Sequence, residues 1–308
     1  MSALQQWPRF VAAGEALTDL IAQNDARDQW ISCTGGATWN VARVVAGLGI
    51  PSAFAGAVSQ DVFGDQLCRA SAESQLDLRF LQRHPKSPLL AVVYSTTPPR
   101  YAFVGDDSAD LYFDPAALPA AWEQHCEWAH FGGISLARQP LATTLITLAQ
   151  TLKDQGVRIS FDPNFRNLMD PKFDPTFERM VRLADVVKVS DEDLLGLFRT
   201  PDLDGAFAQM RRWNPQATVL YTRGPHGASI HTERGDWICA VPEVQVVDTV
   251  GAGDASMGGL VCSLMQRPQA SAAEHLRYAV ATGAAACLKA GANSPTLEVV
   301  QQLVQRLT

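Results

Sequence analysis

The sequence predicts an α/β fold in which a central, mostly parallel β-sheet is flanked by helices. Short β-rich runs alternate along the 308 residues with segments of helical period, as in strands joined by crossover helices. Hydrophobic residues make up 47% of the chain and charged residues 19%, a globular composition that can bury a core. No internal repeat, low-complexity tract or linker divides the sequence, so residues 1–308 are predicted to form one domain.

The individual elements are predicted in order from the amino terminus. A first strand is expected at residues 9–14, and a helix from Asn40 carries apolar residues on one face until Gly49 and Pro51 end it. Further strands are predicted at residues 52–58, 129–131, 157–161, 186–189 and 218–222. Polar or glycine-containing residues follow each strand, and this is where ligand sites lie in open α/β sheets.

Two stretches, residues 16–33 and 89–113, interrupt this alternation. They carry strand-like alternation without an intervening helix, as Leu90, Val92 and Tyr94 illustrate. We expect a small antiparallel sheet outside the main sheet, in the position of a lid. A long ordinary insertion is the alternative.

Composition excludes several classes of partner. The net charge of −7 argues against a nucleic-acid surface, which needs a basic footprint. The amino terminus lacks the basic start and apolar stretch of a secretion signal, and the weakly polar run at residues 279–288 is too short to span a bilayer. The six cysteines are scattered without a C-x-x-C pair, which favours reduced core thiols over disulfides or a metal site. A cytoplasmic protein with no nucleic-acid or membrane partner is therefore predicted.

The segment at residues 244–254 concentrates the candidate chemistry. Residues 244–247 are predicted to form a strand running into Asp248, and Gly251-Ala252-Gly253-Asp254 then leads into an apolar helix. Glycines allow close backbone approach, and a helix start favours phosphate oxygens. Asp254 cannot bind phosphate because like charges repel. It is either a helix cap or a general base that accepts a proton from an attacking hydroxyl.

Other nucleotide-binding signatures are missing from the sequence. There is no Gly-Lys dipeptide, which excludes a Walker-type phosphate loop. The first predicted strand is not followed by G-x-G-x-x-G, which argues against a dinucleotide-binding fold.

Three segments together resemble the signatures of the PfkB/ribokinase family of sugar and nucleoside kinases. Residues 248–254 resemble the family's C-terminal signature, and residues 35–42 resemble its N-terminal signature. Residues 56–64 match the element GxVGxDxFG, except that its second glycine is replaced. The resemblance extends from Gly14 to Pro295 in the expected order. It implies a ribokinase-like fold with a β-sheet lid, and an ATP-dependent transfer of phosphate to an alcohol group.

The resemblance also implies a sugar site between the first signature and the lid. The implied sugar-contact residues are Asp19, Gly35, Gly36, Asn40, Phe103, Asn164 and Asp254. For Asp19, an exposed loop aspartate is the alternative. The implied catalytic residues are Arg166, Gly251, Ala252, Gly253 and Asp254, with the three residues before Asp254 forming an anion hole. Arg166 would contact the transferring phosphate or a negative group of the substrate, and a surface salt bridge is its alternative.

The implied nucleotide site lies beside the anion hole. Its residues are Lys188, Ser190, Thr222, Gly224, Gly227, Gly251 and Gly253. Residues 222–227 match the T-x-G-x-x-G loop that borders adenosine. A solvated lysine at a strand end is the alternative for Lys188.

The implied cofactors are ATP and Mg²⁺, with K⁺ as a candidate monovalent cation. Residues 190–193 occupy the place of the family's N-x-x-E motif, which organises magnesium and phosphate, but Ser190 replaces the asparagine and Asp193 the glutamate. Either Asp193 or Glu192 would hold Mg²⁺ through water. Asp248 and Val250 match positions whose oxygens bind the monovalent cation.

The resemblance is strongest to fructokinases, through residues 130–136, 164–166 and 188–191. It implies conversion of ATP and D-fructose into ADP and fructose 6-phosphate. The alternatives are a 2-keto-3-deoxygluconate kinase and a ribose or nucleoside kinase. The acidic pair Asp106-Asp107 favours a neutral sugar. A catalytically dead sugar- or nucleotide-binding regulator is a further alternative, but the base and cradle glycines are intact. Exposed lid edges predict a homodimer through the lid.

Overall fold

The structure, a computed structural model, describes residues 6–96 and 99–307 as two β-sheets and a set of helices. The strands are β1 (Phe10–Ala13), β2 (Leu17–Ala22), β3 (Trp30–Gly35), β4 (Ser52–Ser59), β5 (Leu81–His84), β6 (Leu90–Thr96), β7 (Pro99–Val104), β8 (Trp128–Gly132), β9 (Arg158–Asp162), β10 (Val186–Ser190), β11 (Thr218–Thr222), β12 (Ala228–Thr232) and β13 (Gly235–Cys239). The α-helices are α1 (Ala37–Gly47), α2 (Val62–Glu73), α3 (Leu141–Asp154), α4 (Asp174–Leu183), α5 (Asp191–Phe198), α6 (Leu203–Trp213), α7 (Ala252–Gln266), α8 (Ala272–Ala286) and α9 (Leu297–Gln305). None of the helices in the described ranges is long and apolar enough to cross a membrane.

The main sheet has the strand order β13-β12-β11-β10-β9-β8-β1-β4-β5. Its pairs from β11 to β5 are parallel, and β12 and β13 add an antiparallel edge. The predicted α/β class is confirmed. The predicted strands correspond to β1, β4, β8, β9, β10 and β11, with ends that differ by no more than one residue. The parallel strands share one carboxyl edge, which is the expected place for a ligand site.

Two hydrophobic clusters hold the helices against this sheet. Val11 and Ala13 of β1 belong to one cluster, which includes α3 and α4. Phe10 and Ala12 point the other way, into a cluster that includes α1, α7 and α8. Since successive side chains of a strand alternate between faces, a strand covered on both faces is apolar at every position. This explains why β1 is a continuous apolar run rather than an alternating one.

The second sheet has the strand order β3-β2-β6-β7 and lies in the two stretches where the sequence predicts a small sheet. Its outer pairs are antiparallel, as expected, but the central pair of β2 and β6 is parallel. The reason is the route of the chain. The strands that precede β2 and β6 are β1 and β5, which run in the same direction in the main sheet. The chain therefore passes from the main sheet into β2 and into β6 in the same direction, and β2 and β6 are parallel. Residues 97 and 98, within the predicted lid range, lie outside the described residues.

The prediction of a strand at residues 244–247 is wrong. This segment has no strand pairing, and Val246 and Val247 are 56% and 59% exposed. The backbone N–H of Val247 donates to Cys287 O (2.8 Å), at the end of α8, instead of to a strand. The β-branched composition of the segment suits a strand. The edge of the sheet beside β11 is instead occupied by the hairpin of β12 and β13.

Candidate active site

The candidate site forms where α1 and α7 begin, at the carboxyl edge of the main sheet. Asn40 Nδ2, in the first turn of α1, donates to Asp254 Oδ2 in the first turn of α7 at 2.9 Å. The two helices can approach because α7 has Gly258 at their contact. A Cβ on Gly258 would lie 2.7 Å from Val44 Cγ1. The two predicted site residues, 214 positions apart in the sequence, thus meet through a direct hydrogen bond.

Asp254 is buried, and its pKa is raised from 3.8 to about 7. Burial is the main cause, and the negative charge of Asp162 adds to it. The hydrogen bond from Asn40 and the positive charges of Lys188 and Arg166 act in the opposite direction. A carboxyl group with a pKa near neutrality is suited to accept a proton from a hydroxyl at neutral pH.

Asn40 has an oxygen left over for a ligand. Its Nδ2 binds Asp254, whereas its Oδ1 is buried and has no hydrogen-bond partner in the described part of the chain. A buried acceptor without a partner costs free energy, on the order of 1–3 kcal/mol. A substrate hydroxyl that donates to Oδ1 would remove this cost.

The start of α7 forms the predicted phosphate cradle. Gly251 caps the helix with φ +78, and a Cβ there would lie 2.9 Å from Ala292 Cβ. Gly253 lies in the first helical turn, where a Cβ would lie 3.2 Å from Lys188 Cε and 3.3 Å from Lys188 Nζ. The first N–H groups of a helix have no intrahelical acceptor and carry a partial positive charge. Ala252 N donates to Thr249 O (3.2 Å), so the N–H groups that the segment can bring against an anion are those of the two glycines.

A buried ionic cluster lies directly beneath this cradle. Lys188 Nζ is 2.9 Å from Asp162 Oδ2 and 3.9 Å from Asp193 Oδ2, and Lys188 is 4% exposed. Burial alone would lower the pKa of Lys188, but the negative charges of Asp162 and Asp193 outweigh it and raise the pKa. Lys188 is therefore a charged, buried group, and the alternative of a solvated lysine at the strand end is wrong. The sequence analysis assigned no role to Asp162, although its position at the end of β9 was a usable signal.

His130 lies close to the same cluster and is neutral. Burial, reinforced by the positive charge of Lys188, lowers the pKa of His130 from 6.5 to about 3. His130 Nδ1 is 3.0 Å from Ser160 Oγ. This histidine therefore contributes shape and a hydrogen bond, not a titrating group.

Arg166 and Asp19 lie close enough for the charge of Arg166 to affect the pKa of Asp19. Burial raises the pKa of Asp19 to about 6, and the positive charge of Arg166 partly offsets the rise. Arg166 Nη1 donates to Asn164 Oδ1 (2.8 Å) and Phe165 O (2.7 Å). The Arg166 guanidinium also lies over the ring of Tyr101 in β7, 5.5 Å from its centroid. The arginine thus links the main sheet to the small sheet.

Asp19 and Phe103 lie on one face of the small sheet. Asp19 of β2 is paired with Cys33 of β3 and with Ala91 of β6, and Ala91 is paired with Phe103 of β7. Directly paired residues point to the same face of a sheet, so these four form a row. Phe103 stacks on Tyr101, with ring centroids 6.4 Å apart. Because Tyr101 contacts Arg166, this row faces the start of α7.

The two glycines of the first signature leave room for neighbouring groups. A Cβ on Gly35 would overlap Asp19 Oδ2, and a Cβ on Gly36 would lie 2.6 Å from Glu15 O. Gly36 also has φ +119, which side-chain-bearing residues rarely adopt. Gly35 therefore packs against β2, and Gly36 packs against the connection between β1 and β2. The predicted contact of these two glycines with a sugar stays a prediction.

Glu15, which the sequence analysis did not select, anchors this connection. Its Oε1 accepts from Ala37 N (3.2 Å), and its Oε2 accepts from Ser135 N (3.2 Å) and Ser135 Oγ (2.6 Å). Burial raises the pKa of Glu15, and these hydrogen bonds lower it. Its position directly after the first strand was its sequence signal, but the partners are distant in the chain.

The predicted nucleotide residues continue along the same edge. Thr222, the last residue of β11, is paired with Ser190, the last residue of β10. Gly224 begins a short 3-10 turn, and Gly227 has φ +92 where a Cβ would overlap Cys239 O. The loop after β11 therefore needs its glycines in order to turn back into β12.

The predicted magnesium residues do not assemble a ligand set. Asp193 is buried and accepts backbone N–H groups, while Glu192 is exposed in the first turn of α5. Searched over residues 6–96 and 99–307, the structure holds no group of three or more His, Cys, Asp or Glu side chains that could bind a metal. Asp248 accepts from Val250 N (3.1 Å) and Gly291 N (2.7 Å), so its carboxylate joins two loops.

Comparisons with known proteins identify the family of the chain. The family described as pfkB family carbohydrate kinase matches residues 8–299. A fructokinase of Klebsiella pneumoniae is 31% identical over 259 residues, which cover 82% of each protein. An aminoimidazole riboside kinase of Salmonella typhimurium is 30% identical over 288 residues, covering 91% of this chain and 89% of that protein.

The fold is also found in solved structures. A fructokinase double mutant of Vibrio cholerae O395, in a fructose-, ADP- and potassium-bound form, superposes with a TM-score of 0.84 at 29% identity. The match covers 99% of this chain and 100% of that one.

Proposed function

The chain belongs to the pfkB family of carbohydrate kinases, and we propose that this phosphotransferase converts ATP and D-fructose into ADP and fructose 6-phosphate. The observation that carries the proposal is the buried pair of Asn40 and Asp254 at the start of α7. It combines a base of suitable pKa, a free amide oxygen and a helix start suited to phosphate.

The reaction follows from these positions. A sugar hydroxyl donates to Asp254, which accepts its proton as the hydroxyl oxygen bonds to the γ-phosphorus. The bond from that phosphorus to the β–γ bridging oxygen breaks, and ADP leaves. Negative charge on the transferring group is stabilised by the N–H groups of Gly251 and Gly253, and by the positive charge of Arg166. Asn40 fixes the orientation of Asp254 and binds a second sugar hydroxyl through Oδ1.

The charges around the sugar position favour a neutral substrate. Asp19 and Asp254 both face this space, and Arg166 is shared between them. A substrate carboxylate would meet two acidic side chains and only one cationic side chain, Arg166. This balance disfavours 2-keto-3-deoxygluconate as the substrate. Asp107 adds little to this argument, since it is exposed and bound to Lys86 (2.7 Å).

A panel of sugars, assayed by coupled ADP release, tests the proposal. We expect D-fructose to give the highest kcat/KM, followed by ribosides, and 2-keto-3-deoxygluconate to give little or none. A riboside is the second candidate because the riboside kinase relative is as similar to this chain as the fructokinase is. A higher kcat/KM with a riboside would transfer the assignment to it. ADP release without any sugar dependence would contradict both.

ATP occupies the edge that runs from the cradle to the loop after β11. Thr222, Gly224 and Gly227 border the adenosine, and Lys188 supports the cradle from below through its contact with Gly253. Phosphate oxygens of ATP and water would hold Mg²⁺, which would neutralise charge on the phosphates. The loops joined by Asp248 would hold K⁺, and exchanging K⁺ for a large organic cation should lower the activity.

The small sheet acts as a lid over the sugar, with residues 16–33 and 89–113 closing onto Arg166. Closure excludes water and protects ATP from hydrolysis. The lid also provides a dimer interface, since Trp30 and Ile31 of β3 are exposed large apolar side chains. Gel filtration at micromolar concentration should then give a dimer, and a monomer alone would reject this arrangement. The compartment we propose is the cytoplasm.

A further inference from the structure

We propose that Asp193 is a positioning residue that fixes the segment carrying Arg166, and that it is not a ligand of magnesium. This inference deepens the sugar-kinase proposal and rests on it for its kinetic test. It departs from the sequence-based expectation that Asp193 holds Mg²⁺ through water.

Both carboxylate oxygens of Asp193 are already bound by donors. Asp193 Oδ2 accepts from Ser190 N and Ser190 Oγ, each at 2.8 Å, and Asp193 Oδ1 accepts from Phe165 N at 2.7 Å. Lys188 Nζ lies 3.9 Å from Oδ2, and Asp193 is 4% exposed. A magnesium ion requires near-octahedral oxygen ligands and gives up its waters reluctantly. To reach this carboxylate it would have to displace hydrogen bonds from a closed interior.

Ser190 and Asp193, the two departures from the N-x-x-E pattern, bind each other. Ser190 is the N-cap of α5, and Asp193 is the third residue of the helix. Asp193 N donates to Ser190 Oγ (3.1 Å), and Ser190 N donates to the Asp193 carboxylate. These two reciprocal hydrogen bonds form a capping box. Serine and a short acid at these two positions thus form a reciprocal helix cap. The second oxygen of Asp193 is then free to bind a neighbouring loop.

That neighbouring loop is the one that carries Arg166. Phe165 donates its backbone N–H to Asp193, and its ring packs against Gly196, where a Cβ would overlap the ring. Phe165 is therefore attached to α5 at two points, one polar and one apolar. Its carbonyl oxygen accepts from Arg166 Nη1 (2.7 Å), and Asn164 Oδ1 accepts from the same nitrogen (2.8 Å).

The backbone of this loop is held in an uncommon conformation. Asn164 has φ +45, a region that few non-glycine residues occupy. Its N–H donates to Asp162 Oδ1 (3.1 Å), and Asp162 in turn is paired with Lys188. Such a conformation persists when the surrounding contacts impose it. Asp162 and Asp193 thus bind the backbone N–H groups of Asn164 and Phe165, the two residues before Arg166. The charge of Arg166 in turn acts on Asp254 and Asp19.

A double-mutant cycle tests whether Asp193 acts through Arg166. The variants are Asp193→Asn, Arg166→Gln and their combination, with Asp204→Asn, an exposed acid on α6, as the control. Asparagine cannot accept from both Ser190 and Phe165 through its single oxygen. We expect Asp193→Asn to lower kcat/KM for the sugar by about tenfold, chiefly through kcat because Arg166 stabilises the transferring group, and Arg166→Gln to lower it further. The double variant should match Arg166→Gln to within about twofold, because coupled residues are not additive.

Magnesium dependence separates positioning from metal binding. In Asp193→Asn, the Mg²⁺ concentration for half-maximal rate at fixed ATP should stay within about twofold of the wild-type value. A rise of tenfold or more, or losses that multiply in the double variant, would overturn the proposal. The assay uses whichever sugar the wild-type protein phosphorylates.

A second variant guards against a general loss of structure. Gly196→Ala leaves every charge in place but pushes the Phe165 ring away from α5, and alanine favours the helix. It should reproduce the lowered kcat/KM of Asp193→Asn with unchanged Mg²⁺ dependence. A wild-type kcat/KM in Gly196→Ala would count against the loop as the link.

Hydrogen exchange tests the contact without any turnover. The amide of Phe165 should exchange faster in Asp193→Asn than in the wild type, while Asp204→Asn leaves it protected. Unchanged protection of this amide would overturn the inference even in an active enzyme. Conversely, if no sugar is phosphorylated but exchange rises as expected, the proposed function fails and the contact stands.

Discussion

Replacing Asp254 with asparagine removes the proposed base and keeps the shape of its side chain. Asn40 Nδ2 can still donate to the amide oxygen at position 254, so the approach of α1 to α7 is preserved. General base catalysis contributes roughly 10²–10⁴-fold, and we expect kcat to fall by at least about a hundredfold. The KM for ATP should change by less than about threefold, since the variant leaves the cradle glycines and the nucleotide loop intact.

The same substitution should stabilise the folded protein. The pKa of Asp254 rises from 3.8 to about 7 on folding. Ionising it in the folded state therefore costs on the order of 4 kcal/mol relative to the unfolded chain, at about 1.4 kcal/mol per pKa unit. Because the folded state binds the proton more tightly, this destabilisation grows as pH rises from 4 to 7 and is complete above 7. Asp254→Asn should thus melt at a higher temperature than the wild type, with a larger gain at pH 8 than at pH 5.

Steady-state kinetics and thermal melting across this pH range measure both effects. In the wild type, kcat/KM for fructose should fall below pH 7 by about tenfold per pH unit as Asp254 becomes protonated, and this limb should be absent in Asp254→Asn. Asp204→Asn serves as the matched control, with wild-type kinetics and melting. A loss of less than about tenfold in kcat, or an acid limb that persists in Asp254→Asn, would refute the assignment of the base.

Three further substitutions address the rest of the site. Asn40→Ala removes the hydrogen bond that lowers the pKa of Asp254, so the acid limb of kcat/KM should move above pH 7; a limb at an unchanged pH would contradict the role of this bond. Asp19→Asn should raise the KM for fructose by about tenfold or more, since charge-assisted hydrogen bonds are worth roughly 1.5–3 kcal/mol. The KM for ATP should stay within about threefold of the wild-type value. Equal rises in both KM values would place Asp19 outside the sugar site. Gly253→Ala brings a methyl group to 3.2 Å from Lys188 Cε and should lower kcat by about tenfold without lowering the melting temperature, and a wild-type kcat would show that the cradle tolerates a side chain.

The parts of the fold that the sequence predicted are those that local chemistry determines. The strands β1, β4, β8, β9, β10 and β11 of the main sheet were found because buried parallel strands are short apolar runs bounded by polar residues, whereas β5, whose sequence is Leu-Gln-Arg-His, was missed. The start of α7 was found because Gly251 and Gly253 are needed for a tight approach to neighbouring groups. Residues 244–247 misled the prediction, since β-branched side chains favour a strand whether or not a partner strand is within reach.

The parts that were missed depend on distant contacts. Glu15 follows the first strand directly, but its partners Ala37 and Ser135 are distant in the chain. Asp162 was visible at the end of a strand, but its pairing with Lys188 arises from the order of β9 and β10 in the sheet. The position of Asp193 in the sequence suggested a metal site. Its hydrogen bond from Phe165 N depends on how the loop after β9 packs against α5, which the sequence does not reveal.

Transfer of phosphate to the sugar is the direct test of the proposed kinase activity and of Asp254 as its base. Purified protein is incubated with ATP, Mg²⁺ and D-fructose, and the phosphorylated products are followed by ³¹P NMR. We expect fructose 6-phosphate and ADP to appear in equal amounts in the wild type, and to be almost undetectable over the same period in Asp254→Asn. Inorganic phosphate in place of a sugar phosphate, or equal product from both proteins, would contradict the account.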